Sequence, residues 1–216
     1  MTDVTHDIND VHRQVGRRAF RQGEARVVTV ARSYDAPLDD VWDACTNAER
    51  IPRWLLPVSG ELRLGGRYQL EGNAGGVIER CDPPRGFTAT WEYGGEVSWI
   101  ELRLTPEDGG GTRFELDHIA DVDDTKWAEF GPGAVGVGWD LMVRGLSLHL
   151  GSGGAPVDPE KFMGWMGSDE GRRFMTDSSE AWYAANLAGG EDEKTARAAA
   201  DRTIAAYTGA GEPDEG

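Results

Sequence analysis

The groups in this chain able to do chemistry are four histidines, two cysteines and a surplus of carboxylates, and their spacing decides which chemistry is open to them. His118 closes the run Thr112-Arg-Phe-Glu-Leu-Asp-His118 in phase with Phe114 and Leu116, so on a strand it shares their apolar side. A histidine so placed orients a ligand, acts as a general base, or is a hydrogen-bonded core residue. His149 sits near the end of an apolar helical stretch, where a partial positive charge suits the helix C-terminus and the role is structural. His6 and His12 are six apart, which suits no metal pair on a helix. Cys45 and Cys81 have no metal-ligand spacing, and a reducing compartment leaves both as thiols in or near the core. Arg32, in phase with Tyr34 on a strand, is either a solvated edge charge or the one cation of a cavity, which would select an anionic ligand.

Two segments imitate ligand motifs. Gly131-Pro-Gly133-Ala-Val-Gly136 matches the dinucleotide pattern, but the strand before it ends about ten residues earlier and no strand follows, so there is no βαβ unit to hold a pyrophosphate. Asp121-Val-Asp123-Asp124 starts like a calcium loop, yet Lys126 stands where the turn needs glycine and Pro132 where it needs a bidentate glutamate. No metallopeptidase, hydrolase-elbow or paired-cysteine motif occurs, and no metal ion or cofactor is expected.

The whole chain bounds the answer further. With 216 residues it can bury a real core, and one main domain with an appended helical segment is expected. Its 38 acidic and 22 basic side chains give a net charge of −16, which opposes nonspecific binding to nucleic acid or to anionic lipid. No basic start leads into an apolar run, and no stretch approaches the roughly 18 apolar residues of a membrane span, so a cytoplasmic location is expected.

What must position the candidate groups is a series of short strands followed by helices. Residues 5–22 set Ile8, Val11, Val15 and Ala19 at helical spacing, with Arg13, Arg17, Arg18 and Arg21 on other faces; an amphipathic helix is predicted, docked on the domain or on a second copy. Residues 24–34 alternate and are valine-rich, the first strand. Pro37 opens a short helix with Leu38, Val41, Trp42 and Cys45, and Asn47 caps a second with Ile51, Trp54 and Leu55, closed by Pro57. Six β-rich segments follow at 61–64, 67–70, 77–81, 87–93, 97–105 and 112–120, with turns too short for parallel crossovers, so seven antiparallel strands are expected. An acidic loop over 121–129 should then lead into a helix.

The period of two puts Leu62, Leu64, Tyr68, Trp91 and Ile100 on one side of the sheet and Arg67, Glu92, Glu101, Arg103 and Glu115 on the other. A sheet apolar on one side must curl around something. The candidate is the helix predicted over residues 131–150, where Val135, Trp139, Met142, Leu146 and Leu150 recur beside Gly138, Leu141 and Gly145. Glycines facing large rings leave volume unfilled, so a mostly apolar pocket on the order of 300 to 1,000 Å³ is expected there. Its candidate ligand-binding residues are Tyr68, Trp91, Tyr93, Trp99, Ile100, Phe114, Leu116, His118, Trp139 and Met142.

The order strand, helix, helix, meander, long helix resembles the START-like helix-grip fold, the SRPBCC superfamily, and the wording is similar to the family homologous to the C-terminal domain of the activator of the heat-shock-protein-90 ATPase. The match is carried by Tyr34-Asp-Ala-Pro37 with Val41-Trp42-Asp-Ala44, Ile51-Pro-Arg-Trp54, Leu64-Gly-Gly-Arg-Tyr68, Asp82-Pro83-Pro84, Thr90-Trp91 and Leu116-Asp-His118, over residues 24–150. It implies an α+β fold, a curved seven-stranded antiparallel sheet wrapped around a long helix. Members of such a superfamily serve as lipid carriers, cyclases, receptors and chaperone activators, so fold alone does not fix function. The activator proper has a separate N-terminal domain, for which the 23 residues before the first strand leave no room, so ATPase stimulation is not expected.

These readings divide the chain into an N-terminal helical segment at 1–23, a helix-grip domain at 24–152, a helical extension at 153–210 and a disordered tail at 211–216. The extension carries Trp165, Phe174, Trp182 and Tyr183, too many rings for a solvated helix; it packs on its own domain or offers a homodimer or partner surface. Three functions remain open: a binding protein for a small, mostly apolar ligand, a chaperone cofactor working through a surface, and a cyclase or hydrolase-like enzyme using His118 with an acidic neighbour.

Overall fold

The computed structural model describes residues 4–21 and 23–209. Among these, eight strands form one antiparallel sheet, in the order β1-β2-β8-β7-β6-β5-β4-β3. The valine-rich β2 (Gly23–Tyr34) pairs with β8 (Thr112–Asp121), and β7 (Glu96–Pro106), β6 (Gly86–Tyr93), β5 (Gly75–Asp82) and β4 (Arg67–Leu70) follow as the meander that the glycine turns dictate. Residues directly opposite each other share a face, so the pairs Val28 with His118, Val30 with Leu116 and Ile100 with His118 establish one inner side. The outer side carries charge: Arg103 spans to Glu115 at 2.6 Å and Asp117 at 2.9 Å.

Several elements differ from the sequence expectation. Residues 12–20 are not helical: α1 is confined to Val4–Asn9, and His12–Phe20 is β1, an edge strand laddered to β2 along its whole length. The spacing of Val11, Val15 and Ala19 suits a helix, but a tight turn at Arg21, with φ of 52°, folds the segment back onto a valine-rich strand whose open edge needs a partner. Arginines along β1 keep the new edge charged. The sheet therefore has eight strands and not seven. Likewise β3 is Val58–Gly60, and residues 61–66 form a turn, because Gly60 has φ of 97° and the Glu61 amide donates to the Arg67 carbonyl at 2.8 Å. Leu64, expected inside, is exposed in consequence.

The helix α4 (Gly133–Gly151) crosses the inner side of the sheet, with α2 (Leu38–Thr46) and a 3₁₀ turn at Ile51–Arg53 beside it. Val137, Val143 and Leu146 are fully buried, and so are Asp140 and His149 on other faces, so α4 is covered nearly all round. Its second cover is the extension: α5 (Pro159–Met166), α6 (Asp169–Ala188) and α7 (Glu193–Thr208), started by the caps Asp158, Ser168 and Asp192. Trp182 and Phe174 of α6 are sealed against α4, so the extension packs on its own domain. The expected acidic loop is instead α3 (Asp124–Phe130), with the Asp123 carboxylate accepting from the Thr125 amide at 3.0 Å. No helix among the described residues is long and apolar enough to cross a membrane. The tail at 211–216 and the side chain of His6 lie outside what is described.

Candidate functional site

Between the inner face of β4–β8 and α4 lies a cavity of about 620 Å³. The sheet supplies rings and branched chains, α4 supplies Val135, Trp139 and Met142, and α2 with the turn after it closes one side through Trp42, Trp54 and Leu55. Its lining includes exposed residues at both ends of the strand pair β5–β6: Tyr93, with Gly138 of α4, at one, Cys81 and Pro83 at the other. Phe87 and Tyr93 are six residues apart on β6, so the space runs about 20 Å along the strand at roughly 3.3 Å per residue. Among the described residues, no Asp, Glu, Lys or Arg lines it.

His118 is the polar centre of this wall. The Trp139 indole N–H donates to His118 Nδ1 at 3.1 Å. An indole nitrogen only donates, so Nδ1 must accept, and in the neutral ring the proton resides on Nε2. The rings of Trp91 and Trp139 stand 6.3 and 5.6 Å from the imidazole. Burial lowers the pKa of His118 to about 4. Between about pH 6.5 and pH 4 the unfolded chain therefore binds a proton here that the folded chain does not, and stability falls as pH is lowered through that window. The total is about 3 kcal/mol, at about 1.4 kcal/mol per pH unit. Urea unfolding at pH 7 and pH 4.5 should show this loss in the wild type and lack its His118 share in His118→Phe.

The structure brings nine of the ten sequence candidates to the cavity: Tyr68, Trp91, Tyr93, Ile100, Phe114, Leu116, His118, Trp139 and Met142. Tyr93 is 61% exposed and belongs to the mouth. Trp99 is on the opposite face, stacked with Phe20 at 5.1 Å and under the Arg21 guanidinium at 4.5 Å. The strand period already required this, since Trp99 cannot share a side with Ile100. Arg32 is neither an edge charge nor a cavity cation; it is buried against Asp7 of α1 at 3.2 Å. His149 is structural, but through hydrogen bonds rather than helix-end charge: Nε2 accepts from Arg50 at 3.1 Å and Nδ1 faces the Ala155 carbonyl at 2.9 Å. Sequence reasoning missed Phe87, Trp42 and Tyr207 as lining residues. The alternation of β6 and the core-facing phase of α2 signalled the first two; nothing local signals Tyr207, which reaches the mouth only because α7 folds back.

The glycines of α4 separate cavity from contact. A Cβ at Gly133 would meet Thr203 at 2.8 Å, and one at Gly136 would come within 2.4 Å of the Trp182 ring. The dinucleotide-like pattern is thus the footprint of α6 and α7 on α4. Gly145, expected to face the pocket, abuts the Trp54 carbonyl, 2.7 Å from where its Cβ would be. Gly138 is the one that borders the cavity, with only the Tyr207 hydroxyl nearby at 3.7 Å.

A curved antiparallel sheet gripping one long helix over an apolar cavity defines a helix-grip protein. The family model described as activator of Hsp90 ATPase homolog 1-like protein matches residues 35–151, and the chain belongs to that family. The crystal structure of CalU16 from Micromonospora echinospora is 39% identical, covering 81% of this chain and 97% of that one with a TM-score of 0.63; the solution structure of CalU16 gives 37%, 83%, 97% and 0.65. An Hsp90 activator from Plasmodium falciparum is 19% identical over 58% of this chain and 96% of its own, with a TM-score of 0.51, a likeness of fold alone. A comparison with curated proteins gives no match.

Proposed function

We propose that this protein binds one uncharged, mostly apolar small molecule in the cavity between the sheet and α4, and does so in the cytoplasm as a carrier or sequestering protein. The observation that carries this reading is a space of about 620 Å³ whose lining holds no charged side chain among the described residues. That volume suits a small ligand, and the absence of charge disfavours an ionic one, whose desolvation nothing there would offset. Catalysis by His118 is disfavoured by the same geometry, because Nδ1 is occupied by Trp139 and no carboxylate among the described residues lines the space to orient the ring as a base.

Native mass spectrometry of protein purified from its natural host should show a bound neutral molecule. Gly138→Leu should abolish that binding at little cost in stability, since leucine favours a helix over glycine by roughly 0.8 kcal/mol and enters open space. Gly145→Leu, which collides with the Trp54 backbone, should instead cost about 1 to 3 kcal/mol. A wild-type protein that carries nothing and binds nothing in a screen of neutral compounds, with a Gly138→Leu variant indistinguishable from it, overturns the proposal.

A further inference from the structure

Three rings converge at one point of the cavity wall. Trp91 and Trp139 lie 5.0 Å apart by ring centroid, and both flank His118 on β8. The hydrogen bond from Trp139 settles which imidazole nitrogen is left over: Nδ1 accepts, so Nε2 carries the proton and is a donor. That donor has no protein acceptor among the described residues, although His118 is 6% exposed and part of the cavity lining. Nε2 is not among the fully buried polar atoms left without a partner, so it opens onto the cavity, where a ligand acceptor takes the place of water. Elsewhere in the lining, the Tyr68 hydroxyl is already engaged, donating to the Thr90 carbonyl at 2.8 Å.

We infer that the ligand is an uncharged, ring-bearing molecule with a hydrogen-bond acceptor, a carbonyl in the simplest case, which receives the His118 Nε2 proton while its ring system lies against Trp91 and Trp139. This rests on the ligand-binding reading above and sharpens it from an apolar molecule to a ketone-like or quinone-like one. His118 acts here as a specificity-determining residue. The indole of Trp139 positions it by holding the tautomer, so that the cavity presents a donor rather than a second acceptor. A charged acceptor such as a carboxylate is not the match, because no cation among the described residues lines the cavity to share its charge.

The test uses two tricyclic probes of one shape, fluorene and 9-fluorenone, which differ by a methylene in place of a carbonyl. Equilibrium dialysis against the full chain should show fluorenone bound roughly threefold to tenfold more tightly than fluorene, the worth of one neutral hydrogen bond. In His118→Phe that preference should vanish or reverse, while fluorene binding is kept. A wild-type protein that prefers fluorene or binds both equally overturns the inference and leaves the cavity reading standing; failure to bind either probe overturns both. Should the variant not fold, long-range ¹H–¹⁵N spectra of the histidine-labelled wild type decide the matter. They should show His118 protonated at Nε2 and that nitrogen shifted by fluorenone but not by fluorene. Protonation at Nδ1, or no response to fluorenone, overturns it.

Discussion

A chain ended after Ser152 is expected to aggregate or unfold, and not to yield a smaller stable grip domain. The reason lies on the side of α4 turned away from the sheet. Phe174, Met175 and Trp182 of α6 are each at most 3% exposed and share one buried cluster with Val143 of α4, and Trp182 lies against the bare backbone at Gly136. Large aromatic side chains bury about 150 to 250 Å² each, so the two rings alone account for some 300 to 500 Å² of contact. At about 25 cal/mol per Å² that is roughly 8 to 12 kcal/mol, comparable with the whole stability of an ordinary domain. Truncation also removes the Ser178 hydroxyl and the Trp182 indole, two donors to the buried Asp140 carboxylate. Size-exclusion chromatography, dye binding and thermal unfolding of the truncated chain would check this. A monomer that unfolds at the same temperature as the full chain would show that the extension is dispensable.

How much of this was written in the sequence depends on the range of the interaction that decides each element. The meander from β4 to β8 was legible because glycine and proline turns punctuate it and its strands pair with their neighbours in sequence. The cavity was legible because the phase of Tyr68, Trp91, Phe114 and His118 and the small residue at Gly138 of α4 are both local patterns. β1 was not, because Val11, Val15 and Ala19 fit a helix equally well and only the open edge of β2 decides between the two. The roles of Gly136 and Gly145 were hidden for a related reason. A helix with small residues all round says that neighbours come close, but which neighbour meets which glycine depends on where α6, α7 and the 3₁₀ turn settle. Arg32 illustrates the limit most plainly: its partner Asp7 sits on a helix that folds under the sheet, a contact no spacing rule contains.

Asp140 is expected to be the costliest single side chain to remove. It is fully buried on α4, where burial pushes its carboxyl above the usual carboxylate range while the Arg13 guanidinium and two further hydrogen-bonding neighbours, Ser178 and Trp182, pull it back. Arg13 Nε reaches one carboxylate oxygen at 2.9 Å and the other at 3.2 Å; Ser178 and the Trp182 indole, at 3.1 Å, donate to the first of these. One carboxylate thus ties β1, α4 and α6 together. Asp140→Ala would leave the Arg13 charge, 6% exposed, without its counterion and two donors without an acceptor, and removing one partner of a buried pair costs about 3 to 5 kcal/mol. Asp140→Asn, which keeps an acceptor but not the charge, should cost less. The pair Arg13→Met with Asp140→Leu should recover part of the loss, since apolar groups of similar volume need no compensation, although the Ile8 and Val11 carbonyls that Arg13 also serves at 3.0 Å then depend on water. Urea unfolding of the wild type, Arg13→Met, Asp140→Leu and the double variant gives the coupling directly. A cost below 1 kcal/mol for Asp140→Ala, or a double variant as unstable as the two single changes summed, would mean that the carboxylate is not what joins the extension to the sheet.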